Sequence, residues 1–230
     1  MNRLAVGSIF AGILAFAGAA RAQSNNPYGH MLEVTNQAQQ NLFSEMNHQW
    51  ALKRTNETAY RNGRPAAPPP PAAHTTIAAT DFVPMVAGHP LIDQYVAGLP
   101  LAPAQRAGLR QTIIQLWNAV EAKTRRNNLA SSLGVAVAVS MLVLTGKDTE
   151  DAQLAEQIAS INDLLAVSPL WLGMAHAQKQ QISESLLLTT SVMLLYAQAG
   201  QTDPTSKQAS ATIARDLLGR LGIAPPPPTP

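Results

Sequence analysis

His89 and Asp93 stand four residues apart, the spacing at which a histidine base and an orienting carboxylate share one face of a helix. A simpler reading makes His89 the cap of the short helix that Pro90 opens and leaves Asp93 in solvent. Arg126, Asn127 and Asn128 form a second group, three strongly hydrogen-bonding side chains where a charged helix ends and an apolar one begins. With Asp81 as the natural partner of Arg126, this set (Asp81, Arg126, Asn127, Asn128) has the donors to bind a carboxylate or a sugar hydroxyl. The same side chains can instead satisfy the orphan amides and carbonyls of a tight helix-to-helix corner, which is the reading favoured here. Met46 and His48 recur as a Met-x-His triplet at Met174 and His176, and His30 and Met31 are adjacent. Thioether plus imidazole suits Cu(I), but methionine more often fills an apolar core, so no metal and no cofactor is assigned.

Other catalytic patterns are absent. The chain has no His-Glu-x-x-His, Gly-x-Ser-x-Gly, Ser-x-x-Lys, phosphate-binding Gly-x-x-x-x-Gly-Lys or dinucleotide glycine pattern. It has no cysteine, hence no thiol nucleophile, thiolate metal site or disulfide. No catalytic residue is assigned, and the sequence leans away from an enzyme.

The elements that position these residues begin with an export signal. Arg3, an uncharged apolar run from Leu4 to Ala17, and Ala20-Arg21-Ala22 follow the order of a cleavable secretory leader, with Gln23 as the expected new amino terminus. The apolar run is shorter than the roughly 20 residues a membrane-spanning helix needs. The precursor carries 16 Lys and Arg against 14 Asp and Glu. Losing Arg3 and Arg21 with the leader makes the mature chain formally neutral, which removes the charge argument for a nucleic-acid partner. The expected location is the bacterial periplasm or the exterior.

After the leader (1–22), composition divides the chain into a polar Asn/Gln-rich arm (23–64), a Pro/Ala-rich linker (65–79), a helical domain (80–222) and a proline tail (223–230). In the arm, Leu42, Phe43, Met46 and Trp50 fall at helical spacing, so a helix over about 31–55 is plausible, although the composition favours mobility. In the domain, capping residues, prolines and glycines set off helices at Pro90 to Ala97, Pro103 to about Asn127, Asn128 to Thr145, from Asp148 or Thr149 onward, about Ala177 to Ala199, and from a cap at Asp203. Ser168-Pro169 reads as a turn. Leu129 to Leu144 is apolar on every side, so it is either the centre of a bundle or a membrane element, and the buried reading is preferred. No run alternates as a strand does. The expected fold is all-α, a bundle of about five or six helices around that central apolar helix. Charge segregates too: 104–126 carries a net +4 (five basic, one acidic) and 147–163 a net −4 (five acidic, one basic), implying complementary or separately solvated faces.

Thr80-Asp81-Phe82, Arg126-Asn127-Asn128-Leu129-Ala130, Thr145-Gly146, Lys179-Gln180-Gln181-Ile182 and Leu186 together resemble a family of uncharacterised exported bacterial proteins, catalogued as a domain of unknown function. The likeness covers roughly Thr80 to Leu221. It implies an exported helical domain and carries over no activity or site residue. The leading functional expectation is a non-enzymatic module that binds an unknown protein or envelope component, with membrane contact possible but not favoured. The alternatives are a membrane-active effector that exposes the helix 129–144, and an envelope enzyme of unrecognised type in which His89, Asp81, Arg126 or another histidine converge in one pocket.

Overall fold

The computed structural model describes residues 39–51, 73–122 and 124–226. The leader, most of the arm, Pro68 to Pro71 and Pro227 to Pro230 lie outside the described residues.

Residues 39–51 form α1. A 3-10 turn at Ile77–Thr80 is followed by α2 (Pro90–Ala97), α3 (Pro103–Glu121), α4 (Leu129–Thr145), α5 (Asp151–Ala166), α6 (Pro169–Gly173), α7 (His176–Ala199) and α8 (Pro204–Arg220). The fold is all-α as expected. The described residues contain no strand, only an isolated antiparallel bridge between Asp81 and Asn128.

Local chemistry explains most boundaries. Proline opens α2, α3, α6 and α8, where its missing N–H costs no helical bond. The side chains of Asn128, Ser168 and Asp203 cap α4, α6 and α8 by accepting from first-turn amides. Gly146, at φ 69°, closes α4 in the left-handed conformation that glycine adopts without strain. Three boundaries differ from the sequence reading. Helix α3 stops at Glu121 rather than near Asn127, and Asn127 itself takes φ 52°, a conformation that a right-handed helix does not pass through. Glu150, rather than Asp148 or Thr149, precedes α5, while the Asp148 carboxylate accepts from the Thr149 amide. The Ser168-Pro169 turn continues into the short helix α6.

Helix α4 lies at the centre, against α5, α7 and α8. It is buried around its whole circumference from Leu129 to Val137, and again at Val139 and Ser140. One apolar core joins α2, α3, α7 and α8 to Val135 and Val139 of α4. A second joins Leu42, Phe43 and Met46 of α1 to Phe82, Leu133, Ile161, Trp171, Leu186 and Leu218. The serines within α4 do not break this environment: Ser132 and Ser140 donate back to the carbonyls of Asn128 and Ala136, and the Ser132 and Ser183 hydroxyls bond each other at 2.6 Å. No helix among the described residues is long and apolar enough to cross a membrane. Exposing α4 to lipid would require opening both cores.

Among the described residues the oppositely charged segments do not form ion pairs with each other. Among the described residues Arg110 bonds Asp93 and Arg125 bonds Asp81, whereas the acidic residues Glu156 and Asp163 of α5 take His74.

Two glycines are required by close approach. A Cβ on Gly134 would meet the Ile158 side chain of α5 at 2.4 Å, and one on Gly200 would meet the Lys207 backbone of α8 at 2.7 Å. Gly219 has open space. Gly200→Ala is therefore expected to lower the unfolding free energy by about 1–3 kcal/mol in urea titrations, since helix backbone must move. Gly219→Ala should raise it by about 0.4–1 kcal/mol, because only the unfolded chain loses freedom.

Candidate functional site

Asn128 is fully buried at the amino end of α4. Its Oδ1 accepts from the Ser131 amide and caps the helix, while its Nδ2 faces outward to three acceptors: the Ile77 carbonyl at 2.8 Å, Thr80 Oγ1 at 2.9 Å and Asp81 Oδ1 at 2.8 Å. Thr80 passes its own hydrogen to Asn162 Oδ1 on α5, and Asn162 Nδ2 donates to the carbonyls of Thr75 and Thr76. Thr80 and Asn162 are also fully buried. Buried polar groups of this kind are stable only when every member is bonded, and here each one is. The effect is to clasp residues 73–82 across the ends of α4 and α5.

Charged groups complete the clasp at its rim. The Arg125 guanidinium grips Asp81 through two bonds of 2.7 and 2.6 Å. Those bonds first, and the Asn128 amide after them, hold the Asp81 carboxyl below its usual range against the opposing effect of burial. At the other end, His74 donates between Asp163 at 2.6 Å and Glu156 at 3.3 Å, and the Thr75 amide donates to Asp163 at 2.7 Å. The bond to Asp163 is the main cause of a raised His74 pKa. Because the two carboxylates lie against opposite ring nitrogens, they do not converge on one point as metal ligands would.

Beyond the clasp the chain continues as an extended strap, residues 82–88, laid along the start of α7. Phe82 is buried and its amide donates to the Asn127 carbonyl. The Val83 amide donates to His176 Nδ1 at 3.1 Å. The amides of Met85 and Val86 both donate to Gln180 Oε1, at 2.6 and 3.0 Å, and Gln180 Nε2 returns bonds to the Val86 carbonyl and to Glu184. Side chains of α7 therefore hold the strap by its backbone, and its apolar side chains face outward: Val83, Met85 and Val86 are 58%, 61% and 50% exposed. Leu170 and Leu172 of α6, on either side of the buried Trp171, are exposed as well.

The structure divides the residues singled out in the sequence. Asp81 and Asn128 meet. Arg126 does not join them, since the guanidinium on Asp81 is that of Arg125, and Arg126 projects into solvent, 3.8 Å from Glu121. Asn127 contributes only backbone, through its left-handed φ and its bond from Phe82. His89 and Asp93 do not form a dyad: the His89 ring packs edge-on against Trp117, and Asp93 takes Arg110. No ion pair or hydrogen bond joins His89, Asp81 and Arg126 among the described residues. Met46 lies in the second core and Met174 packs against it, and His176 is occupied by the strap. The sequence reading missed Arg125, Thr80, Asn162 and Gln180, all ordinary polar residues whose roles come from the strap's path.

Two substitutions separate the parts of the clasp. Asn128→Asp keeps the capping oxygen but deletes the outward donor and sets a second carboxylate against Asp81; it should cost about 2–4 kcal/mol in chemical unfolding at neutral pH. For Asp81 the folded pKa is depressed, so its stabilisation is present above the unfolded carboxylate range near 4 and is lost as pH falls through the lower folded value. Unfolding curves of Asp81→Asn and the parent should therefore differ at pH 7 and draw together as pH falls through the depressed folded value. For His74 the sign is opposite: its pKa is raised, so its contribution is complete below about 6.5 and lost as pH rises through the folded value. Hydrogen exchange at the Thr75 amide, corrected for intrinsic rate, should show protection falling above that pH, and His74→Gln should flatten the profile.

Comparison with curated proteins gives no match, and neither does comparison with solved structures. A family model does match, described as a family of unknown function (DUF6683), over residues 3–226. The match starts well before Thr80, so the polar arm and the proline linker belong to the shared sequence along with the helical domain. Carried by nearly the whole of its length, the chain belongs to the DUF6683 family of unknown function.

Proposed function

We propose that this chain is an exported, non-enzymatic helical module that binds a protein or envelope component through the face made by the strap and α6. The observation that carries the proposal is the way the strap is held. An extended segment next to a large core would ordinarily turn its apolar side chains inward; here only Phe82 does so, while Val83, Met85 and Val86 are fixed outward by bonds to His176 and Gln180. Exposed apolar side chains on an ordered backbone lose little further entropy on binding, which is what a recognition surface requires. Export rests on the leader read from residues 1–22, and puts the module in the periplasm or outside the cell.

The other polar groups support binding rather than turnover. The Arg125 guanidinium holds the Asp81 carboxyl below its usual range, which makes it a weaker base than a free aspartate, and the buried Asn128, Thr80 and Asn162 are bonded to one another and to the backbone.

A photoreactive benzoylphenylalanine placed at Met85 of the full chain, in the cells that make it, should give an adduct of defined mass. The same group at the exposed Gln208 of α8 should not. The adduct-forming protein should begin at Gln23. Identical products from both positions, none from Met85, or retention of an uncleaved cytoplasmic chain would overturn the proposal.

A further inference from the structure

The described residues include five methionines, and they differ in what surrounds the sulfur. Met46 and Met193 are buried in the two cores, and Met141 and Met174 are partly buried against the second. Met85 alone among them is exposed. Because the chain has no cysteine, methionine is the sulfur that an oxidant meets.

The way the strap is held makes that exposure consequential. Residues 83–86 have three amide hydrogens, and all are given to α7: that of Val83 to His176 Nδ1, those of Met85 and Val86 to Gln180 Oε1. Pro84 has none to give. This stretch therefore has no backbone donor for the paired bonds of an added strand, and recognition falls to its side chains. Of the three apolar side chains fixed outward, only Met85 can turn polar in a single chemical step. The backbone beneath it is secured independently of the thioether, through its amide and through Gln180, which also donates to the Val86 carbonyl and to Glu184.

We propose that Met85 is an oxidation site at which one added oxygen turns the strap face from apolar to polar and so weakens docking there. The oxidant is hydrogen peroxide. The Met85 sulfur attacks one peroxide oxygen, an S–O bond forms as the O–O bond breaks, and the departing hydroxide takes the proton of the transferred oxygen and leaves as water. Sulfur is oxidised by two electrons to the sulfoxide and the peroxide is reduced by two. The sulfoxide oxygen is a strong acceptor that an apolar partner surface would have to strip of water. The inference rests on the binding reading above and adds a control on the same face.

Graded peroxide on the purified full chain, followed by peptide mapping, should add one oxygen (about 16 Da) to Met85 about tenfold faster than to Met46, Met141, Met174 or Met193. With Met85 alone modified, the urea midpoint should be unchanged while retention on a phenyl column falls; Met85→Leu should keep its retention through the same treatment. In the cells that make the chain, benzoylphenylalanine at Val83 should form an adduct whose yield drops about tenfold after peroxide, and Met85→Leu should preserve that yield. Met85 oxidising no faster than the other four, a sulfoxide that unfolds the chain, a Val83 adduct that survives Met85 oxidation, or one lost equally in Met85→Leu would each overturn the inference and leave the binding reading standing. No adduct at Val83 in any sample would overturn the binding reading itself, and the docking consequence with it, whatever the peptide map shows.

Discussion

An α-helix that is apolar on every side can be buried completely along its length, but its ends still carry four unbonded amides and four unbonded carbonyls. In this chain that requirement falls on Asn128. One primary amide has an acceptor and two N–H hydrogens, and all are used: the oxygen closes the first turn of α4, and the two hydrogens are shared among acceptors on Ile77, Thr80 and Asp81, which fastens the incoming chain. The central helix and the strap are thus two consequences of one side chain. Asn162 repeats the arrangement from α5, which ties the two helices to the same segment of chain. The aspartate of the same shape would serve the helix and repel the strap.

From that clasp the placement of the outer face follows. With residues 75–82 pinned at the ends of α4 and α5, the next residues run along α7, and the groups that meet them are His176 and Gln180, one turn apart on a single face. Both bond backbone rather than side chains. The strap's conformation is therefore set without using its apolar groups, which is why they are available outside. Lys179 belongs to the same turn, and its ammonium stands over the ring of Trp171, which in turn donates to the Ala79 carbonyl.

What was legible in the sequence was whatever local chemistry decides. Pro90, Pro103 and Pro204, the cap at Asp203 and the glycine at Gly146 place α2, the start of α3, α8 and the end of α4 correctly, because each acts through its own backbone or its nearest turn. The unbroken apolar run identified the central helix for the same reason. The end of α3 was not legible: Asn127 leaves the helix because its carbonyl is needed by Phe82, a residue far away in sequence. Nor was the choice between two adjacent arginines. Arg125 and Arg126 differ in nothing that composition or spacing reports, and only the path of the turn aims one at Asp81 and the other into solvent.

The polar arm makes the same point from the other direction. Its composition suggests a solvated segment, yet Leu42, Phe43 and Met46 of α1 complete the second core, and its polar residues have fixed partners: Glu45 accepts from Ser168, Gln39 from Ser185, and Asn47 donates to the Arg220 carbonyl. Three apolar residues at helical spacing outweigh a polar average, because burying each contributes on the order of 1.5–3 kcal/mol while exposed polar residues contribute almost nothing either way. Helix α1 also bonds Ser168, the cap of α6, the short helix that carries Trp171 under Lys179. The family match beginning at residue 3 is consistent with this, since a domain cut at Thr80 would lack one wall of its second core and a bond to the residue that caps α6.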